Sequence, residues 1–376
     1  MARAGVWRRR PWRGAGRGER RDAGAPAGCG KLRAMVVDVR PRVAAAVAVL
    51  LIIAAPLLAQ SGDAEPDEVI MFGSCLYQNR AHPALGVAVA REPDAFVFLG
   101  DNVYADSSNP VQIRGAYDRL ERSELVRELR RTTDVYAVWD DHDYGANDAG
   151  ARFPAREASE RIFEEFWDVD GPAASRAGIY RSARLAGGAV QLILLDTRRF
   201  RGPLTRAGSR PAGKGPYAQS DEGTILGAEQ WRWLERELER PAELRIIASS
   251  IQVLASHHGW ESWANFPHER HRLLSLVAEA GGSAVFLSGD RHFAEISRVP
   301  APTGRTPAPG TDRRYLYDVT SSGINRRYPE ETPTANSNRV DGYYLEHNVG
   351  ELALFRDGGE LSVRARIYDE DGGVRI

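Results

Sequence analysis

Residues 95–104 have the sequence AFVFLGDNVY, a continuous apolar run followed by a glycine, an acid and, three residues later, a tyrosine. A run that is apolar at every position is typical of a strand buried on both faces of a sheet. The glycine before Asp101 lets the backbone turn sharply at the end of that strand. This stretch therefore predicts a buried strand whose carboxyl end carries Asp101 and Tyr104.

Three further apolar runs end in polar residues in the same way. The runs VIMFGSC, VYAVWDDHD and AVFLSGDRH end at Cys75, at residues 140–143, and at Asp290 and His292. In α/β proteins the carboxyl ends of the strands form the edge of the sheet at which ligands bind. We therefore expect the polar residues of all four runs to lie close together.

The rest of the chain alternates between strand and helix patterns. Apolar runs predict strands at residues 69–72, 95–99, 135–139, 190–195, 244–248 and 284–287, and residues 315–320, 343–355 and 361–368 also favour strands. Helical patterns occupy residues 82–90, 113–131, 156–167, 228–240 and 268–280. Strands separated by helices predict an α/β fold with crossover connections.

The composition is that of a globular protein. The chain has 376 residues, of which 43% are hydrophobic and 27% are charged, and its formal net charge is -1. These values exclude a disordered polymer, a collagen-like repeat and a small disulfide-rich protein. A net charge near zero argues against a general nucleic-acid-binding protein, and no nucleic-acid-binding surface is evident.

The charge is distributed unevenly along the chain. Residues 1–42 carry about +9 and the remaining residues about -10. Residues 43–59, VAAAVAVLLIIAAPLLA, are uncharged and typical of the apolar part of an export signal. An uncleaved membrane anchor and an ordinary buried helix are the alternatives. We expect residues 1–60 to be a basic leader with this signal or anchor, the chain's only contact with a membrane, and residues 61–376 to be one catalytic domain.

The leader affects both the start of the chain and its cysteines. Met35 would begin a signal of conventional length, so either Met1 or Met35 is the true start. Cys29 lies in the leader, which leaves Cys75 as the single thiol of an exported protein. A lone thiol in an oxidising compartment is buried, paired between chains or bound to a metal.

The acidic side chains at the strand ends predict bound cations. Without cations, Asp101, Asp141 and Asp290 would repel one another at close range, and some of them would have to be protonated. Two divalent or trivalent metal ions would remove this conflict, with one carboxylate bridging them. Oxygen ligands suit hard cations, whereas the thiolate of Cys75 and the phenolate of Tyr104 suit iron or zinc. The mixture predicts a site for two unlike metal ions.

The motifs of the chain, taken in order, resemble those of one known family. They are GSC, GDNVY, WDDHD, LDTRRFRG, SSIQ, ESWANFPHERHRLL, SGDRHF and TSSG. In this set and order the chain resembles the PhoD-like alkaline phosphatases (alkaline phosphatase D), which belong to the calcineurin-like metallophosphoesterase superfamily. The resemblance extends from about Val69 to the C-terminal strands. It implies a layered α/β/α sandwich of mixed sheets flanked by helices.

The resemblance also implies metal ligands. Asp101 corresponds to the carboxylate that bridges two metals, and Tyr104 occupies the place of the second Asp of the Gly-Asp-x-x-Asp motif, as in the purple, iron-binding members. Cys75 stands where the superfamily has its first Asp-x-His ligands. Asp290 and His292 correspond to the closing His-x-His motif. The family pattern implies ferric iron bound by thiolate and phenolate, with calcium beside it.

Other residues are expected to act on the substrate. Asp141-His142 resembles the Asn-His pair of the superfamily, which implies that Asp141 binds metal. His142 would then stabilise the transition-state oxyanion or protonate the leaving oxygen. We expect Arg80 and His258 to contact the substrate, Arg80 because a guanidinium can bind two phosphate oxygens.

Two positions have alternative interpretations. The superfamily's additional histidine ligand corresponds to Gln252, His257 or His258. Asp196-Thr197-Arg198 follows a strand, and an internal pair of Asp196 and Arg198 that braces the site is favoured over a phosphate contact.

These observations predict an exported enzyme, periplasmic, secreted or attached to the cell envelope. It would hydrolyse phosphate monoesters, diesters or both by attack of a metal-activated water at a binuclear site. One alternative is a thiol hydrolase with Cys75 as nucleophile and His142 or His292 as base. The other is a non-catalytic exported metal-binding protein of the envelope. The sequence leaves the ester preference, the second metal and the oligomeric state open.

Overall fold

The computed structural model describes residues 65–376, except residues 172, 210–213, 257, 303–314, 330–332 and 334. The leader of residues 1–60, with its apolar run, Cys29 and both start candidates, lies outside the described residues, and so does His257. No helix within the described ranges is long and apolar enough to cross a membrane.

The strands form two mixed sheets. In chain order they are β1 Glu68–Gly73, β2 Ala95–Leu99, β3 Asp134–Val138, β4 Arg181–Leu185, β5 Val190–Leu194, β6 Leu244–Ala248, β7 Ser283–Ser288, β8 Ala294–Pro300, β9 Tyr315–Ser321, β10 Arg339–Tyr344, β11 Asn348–Asp357 and β12 Glu360–Asp369. The first sheet has the order β12-β11-β1-β2-β3, and the second has the order β10-β8-β9-β7-β6-β5-β4. Strands β1, β2 and β3 are parallel, as are β5, β6, β7 and β9, whereas the outer strands pair antiparallel.

Helices connect the parallel strands. They are α1 Pro83–Ala90, α2 Pro110–Glu121, α3 Glu124–Thr132, α4 Asp141–Tyr144, α5 Arg156–Phe166, α6 Gly227–Leu238 and α7 Pro267–Glu279. The sequence predicts one helix at residues 113–131, but the structure has two. The reason is Ser123, whose side chain accepts a hydrogen bond from the N–H of Val126 (3.5 Å) and so begins α3.

Three strands are missing from the predicted set. The single strand expected at residues 343–355 is two strands in the structure, β10 and β11, separated by residues 345–347. The other two missing strands are β4 and β8. β4 has the sequence RSARL and lies at the edge of the second sheet, and β8 has the sequence AEISRVP and lies second from the opposite edge. Strands near a sheet edge are partly exposed, so they carry polar residues and lack a continuous apolar run.

Two apolar cores hold the layers together. One joins the first sheet to α1, α2, α3, α5 and the inner face of the second sheet, and the other lies between the outer face of the second sheet and the helices α6 and α7. Residues of β5 alternate between the cores, with Leu192 and Leu194 in the first and Ile193 in the second, where Leu195, just after the strand, also lies. The continuous apolar runs therefore reflect burial on both faces, and the predicted layered sandwich of mixed sheets is confirmed.

The register of the strands aligns their carboxyl ends. Phe72 in β1 pairs with Val97 in β2, which pairs with Tyr136 in β3. In the second sheet, Ala248 in β6 pairs with Leu287 in β7. The segments that follow β1, β2 and β3 consequently emerge at neighbouring positions. The packing of the two sheets brings the segment after β7 to the same place, and these four segments carry the predicted site.

Candidate metal centre

The predicted residues at the strand ends adopt an uncommon backbone conformation. Cys75, Asp101, Asp290 and His292 have φ angles of 61°, 51°, 69° and 61°. Residues other than glycine seldom occupy this left-handed region, which costs on the order of 1–3 kcal/mol each. Such residues cluster at functional sites, where the surrounding structure imposes the conformation.

Two glycines let these segments approach one another. Gly100 has a φ of 96°, and a Cβ atom there would lie 2.6 Å from the Cβ of Asp140. A Cβ on Gly289 would lie 2.5 Å from the Oγ of Ser74 and 2.9 Å from the carbonyl oxygen of Leu99. Gly100 therefore serves a sharp turn, as predicted, whereas Gly289 allows the end of β7 to contact the ends of β1 and β2.

A first donor group contains sulfur, oxygen and nitrogen. The Sγ of Cys75 lies 3.4 Å from Oδ2 of Asp101, and the hydroxyl of Tyr104 donates to the same oxygen at 3.0 Å. That hydroxyl also lies 3.2 Å from Nε2 of His292. Ligand atoms of Cys75, Asp101 and His292 all lie within 4.8 Å of one another. These four side chains thus meet around one point.

A second set of donors lies beside the first. Ligand atoms of Asp101, Asp141 and His142 lie within 4.8 Å of one another, and so do those of Asp140, Asp141 and Asp290. Asp101 therefore belongs to the sulfur-containing group and to a carboxylate-rich group. A shared carboxylate between two donor groups is the arrangement of a binuclear metal site.

The pKa shifts of the buried acids and of the thiol indicate that this cluster fits cations. Burial raises the pKa of Asp101 to about 7, that of Asp290 to about 8, and that of the Cys75 thiol well above its usual value. Oδ1 of Asp141 is buried and accepts no hydrogen bond from the described residues. Burial also disfavours the charged form of Asp141, but Arg198 and His142 lower its pKa to about 2. Metal ions would neutralise these buried acids and use the unpaired oxygen, so the residues fit two cations.

The stability of the metal-free protein is expected to fall as the pH rises. Asp101 and Asp290 stay protonated in the folded state up to about pH 7–8, whereas the unfolded chain releases these protons above about pH 4. The free energy of unfolding therefore decreases as the pH rises from about 4 to about 8. His292, whose pKa burial lowers to about 3, has the opposite effect, but only below about pH 6.5. The free energy of unfolding of chelator-treated protein should decrease by at least about 2 kcal/mol between pH 6.5 and pH 8.

Urea unfolding at the two pH values measures this change, with metal-loaded protein as the control. Bound cations take the place of the protons, so the loaded protein should show no such decrease. A chelator-treated protein that becomes more stable over this interval would contradict the prediction.

His142 faces the same cluster from the first turn of α4. Its Nδ1 lies 2.5 Å from Oδ1 of Asp106, and its ring centroid lies 4.3 Å from that of Tyr104. Burial lowers the pKa of His142, but Asp101, Asp141 and Asp106 outweigh it and raise the pKa to about 10. In the metal-free protein the ring is therefore a cationic proton donor oriented by Asp106.

A buried ion network supports the cluster. Arg198 is fully buried, and it donates to Oδ1 of Asp140 through Nε and to Oε2 of Glu261 through Nη1, both at 2.6 Å. Arg201 pairs with Oε1 of Glu261 at 2.8 Å. Asp196 accepts the backbone N–H of Arg198 at 2.9 Å. Arg198 therefore braces the site as expected, but its guanidinium pairs with Asp140 and Glu261 rather than with Asp196.

The predicted substrate contacts lie outside the donor groups. Arg80 is exposed, and its guanidinium lies 5.2 Å from the centroid of the Tyr77 ring. His258 is buried, and its Nδ1 accepts the backbone N–H of Trp260 at 3.0 Å. Gln252 donates to Glu295 at 2.7 Å and to Thr320 at 3.0 Å. His258 belongs to no donor group that histidine, cysteine and acidic side chains form among the described residues.

The structure also places near the site residues to which the sequence analysis assigned no role there. Asp148 donates its backbone N–H to Oδ2 of Asp141 at 2.6 Å, and ligand atoms of Asp141, Asp148 and Glu261 lie within 4.8 Å of one another. The guanidinium of Arg326 lies 4.3 Å from the centroid of the Tyr104 ring. Glu261 begins the motif ESWANFPHERHRLL and Asp148 lies shortly after the acidic end of β3, whereas no sequence pattern marks Arg326.

Comparisons with known proteins identify the family of this chain and structures that share its fold. The family model of the PhoD-like phosphatases matches residues 70–365. A solved structure described as "Structure of PhoD" is 18% identical, with a TM-score of 0.61 over 82% of this chain and 71% of that chain. GAP50, the anchor in the inner membrane complex of Plasmodium, is 11% identical, with a TM-score of 0.51 over 82% of this chain and 86% of that chain. Among curated proteins none matches significantly. The two structures share the fold, and the match over residues 70–365 shows that this chain belongs to the PhoD-like phosphatase family.

Proposed function

We propose that this protein is an exported, metal-dependent enzyme that hydrolyses phosphate monoesters, diesters or both. Residues 61–376 would be the catalytic domain, and residues 1–60 the leader with an export signal or anchor. The observation that carries the proposal is Asp101, a buried carboxylate shared by two donor groups of different chemistry. Membership of a phosphatase family supports the same reaction class.

The two donor groups support two unlike metals. Cys75, Asp101, Tyr104 and His292 would hold ferric iron, because thiolate, phenolate and imidazole suit that ion. Asp101 would also hold calcium, with the oxygen ligands of Asp141 and Asp290, since hard cations prefer oxygen. When bound, the two ions would supply an activated water and neutralise the charge of the phosphoryl oxygens.

The chain's own side chains would orient the ester and move a proton. His142 would donate its proton to the leaving oxygen, and the contact of Asp106 with Nδ1 would hold the ring in position. The exposed Arg80, whose guanidinium lies over the Tyr77 ring, would contact the outer part of the substrate. His258, on the loop that carries Trp260, is the other proposed substrate contact.

Replacement of His142 by alanine is expected to separate chemistry from metal binding. The variant His142→Ala should keep both metals but lose about 10²–10⁴-fold in kcat, because a positioned proton donor contributes that much. Steady-state kinetics on nitrophenyl phosphate and metal analysis of the same samples measure the two quantities. The exposed His268 provides a matched control, since His268→Ala should leave both unchanged. Loss of a metal from His142→Ala would show that this residue is a ligand rather than the proton donor.

Metal analysis combined with a substrate panel tests the proposed function directly. The protein beginning near residue 60 should contain two metal ions and hydrolyse monoesters, diesters or both. Ferric iron bound to the phenolate of Tyr104 should give a visible charge-transfer band. A protein that carries both metals and hydrolyses none of the panel would instead support the non-catalytic alternative, for which a member of this fold that serves as an anchor provides a precedent.

The thiol hydrolase alternative predicts different results. A nucleophilic cysteine needs a lowered pKa and some exposure, but Cys75 is fully buried and burial raises the pKa of its thiol. Under our proposal a chelator abolishes activity, and iodoacetamide leaves the metal-loaded enzyme active. Inactivation by iodoacetamide in the presence of bound metal would favour the thiol hydrolase.

A further inference from the structure

We propose that Arg326 binds the phosphate group of the substrate at the metal centre, as the inner of two guanidinium groups at its mouth. This inference rests on the proposed phosphatase function and names the residue that recognises the transferred group. Arg326 follows β9 by five residues and is half-buried. Its guanidinium lies 4.3 Å from the centroid of the Tyr104 ring, whose hydroxyl contacts Asp101 and His292.

Arg326 carries a charge that no carboxylate of the described residues neutralises. No ion pair joins it to an acid in the described part of the chain. Its neighbour Arg327 has the opposite environment, since that side chain is 67% exposed and pairs with Glu346 at 3.4 Å. A half-buried cation beside a reactive cluster, without an acidic partner, is suited to an anionic ligand.

The loop that carries Arg326 is fixed to the loop that carries Cys75. The N–H of Ile324 donates to the carbonyl of Ser74 at 3.1 Å. Asn325 accepts the N–H of Tyr77 at 2.6 Å and donates to the carbonyl of Tyr77 at 2.9 Å. These contacts fix the backbone next to Arg326, which reduces the conformational entropy lost when its side chain binds an anion.

The other nearby arginines are less suited to this role. Arg291 lies 3.5 Å from Oδ2 of Asp290, so an acid already compensates its charge. Arg80 is exposed, and its guanidinium lies over the Tyr77 ring. That ring is 5.6 Å from the Tyr104 ring, whose hydroxyl contacts the donor Asp101, so Tyr77 separates Arg80 from the donor groups. Arg80 and Arg326 therefore stand on adjacent tyrosines, with Arg326 nearer the metal ligands.

Binding of inorganic phosphate to the metal-loaded protein tests the inference. Arg326→Gln should weaken phosphate binding about 10- to 100-fold, as expected for loss of charged hydrogen bonds to an anion, while the metal content stays unchanged. Arg326→Lys should recover only part of the affinity, because an ammonium lacks the paired donors of a guanidinium. Arg327→Gln is the matched control and should bind phosphate as the wild type does. Calorimetry with phosphate and competitive inhibition of nitrophenyl phosphate hydrolysis measure the affinity.

The possible results separate this inference from the proposed function. If the wild type hydrolyses esters and Arg326→Gln binds phosphate within twofold of it, the inference is wrong and the phosphatase stands. An unchanged affinity with a shifted iron–tyrosinate band would show that Arg326 acts only on Tyr104, which also overturns the inference. If the wild type hydrolyses nothing but Arg326→Gln weakens phosphate binding, the inference holds and the phosphatase proposal fails.

Discussion

Replacement of Asp101 by alanine is expected to remove bound metal and hydrolysis together. Among the residues that the structure describes, Asp101 is the one carboxylate that belongs to both the sulfur-containing group and a carboxylate-rich group, so its loss would affect both proposed metal positions. Metal ions contribute several kcal/mol to the stabilisation of the transition state, so kcat/KM on nitrophenyl phosphate should fall by at least about 1,000-fold. Metal analysis and steady-state kinetics on the same preparation measure both effects.

Two comparisons show whether the loss arises from the site. Burial raises the pKa of Asp101 to about 7, so above pH 7 the metal-free wild type carries a buried charge at this position. Asp101→Ala removes that charge and should be at least as stable as the wild type in chelator above pH 7. Asp118 is exposed on α2, and Asp118→Ala should retain metal and activity. An Asp101→Ala variant that hydrolyses the ester as fast as the wild type would show that the site is wrongly assigned.

Replacement of Arg198 by methionine is expected to give the largest loss of stability. The side chains of Arg198, Asp140 and Glu261 are at most 2% exposed, and the guanidinium bonds both acids. Without it, Asp140 loses its cation and Glu261 keeps only Arg201. Breaking a buried ion pair by removing one partner costs about 3–5 kcal/mol, because an uncompensated charge stays behind. Urea unfolding of metal-free protein measures the loss.

An exposed pair provides the control for Arg198→Met. Arg114 and Glu165 form an ion pair at 2.5 Å with side chains 48% and 59% exposed, so Arg114→Met should cost less than about 1 kcal/mol. Adding Asp140→Asn to Arg198→Met should recover part of the stability, because it removes the charge left unpaired. Equal losses for the two arginine variants would mean that burial of the Arg198 network has no energetic consequence.

Much of the candidate metal centre was predictable because its residues are adjacent in sequence to strands. Cys75, Asp101, Asp141 and Asp290 each follow a buried run within a few residues. Parallel strands in register bring their carboxyl ends together within each sheet, so Cys75, Asp101 and Asp141 converge after β1, β2 and β3, and the packing of the second sheet adds Asp290. The same logic predicted six buried strands within one or two residues of their observed ends.

Residues brought in from distant loops were not predictable in this way. Glu261 lies 63 positions from Arg198 in the chain, and Arg326 lies 222 positions from Tyr104, so no local pattern links the members of either pair. Their approach depends on how the two sheets pack and on hydrogen bonds such as those of Asn325. The strands β4, at an edge of the second sheet, and β8, next to the opposite edge, were missed for a related reason, since partial exposure removes the apolar run that marks a buried strand.

The sequence by itself determined the α/β class, the family and the set of donors at the strand ends, because burial and turn chemistry are encoded within single segments. Only the tertiary structure decided that Asp101 is shared between two donor groups and that Arg198 pairs with Asp140 and Glu261. It also decided that Arg326 lies against Tyr104. Distances between side chains on different elements follow from the packing of two sheets about common cores, which is a property of the whole chain.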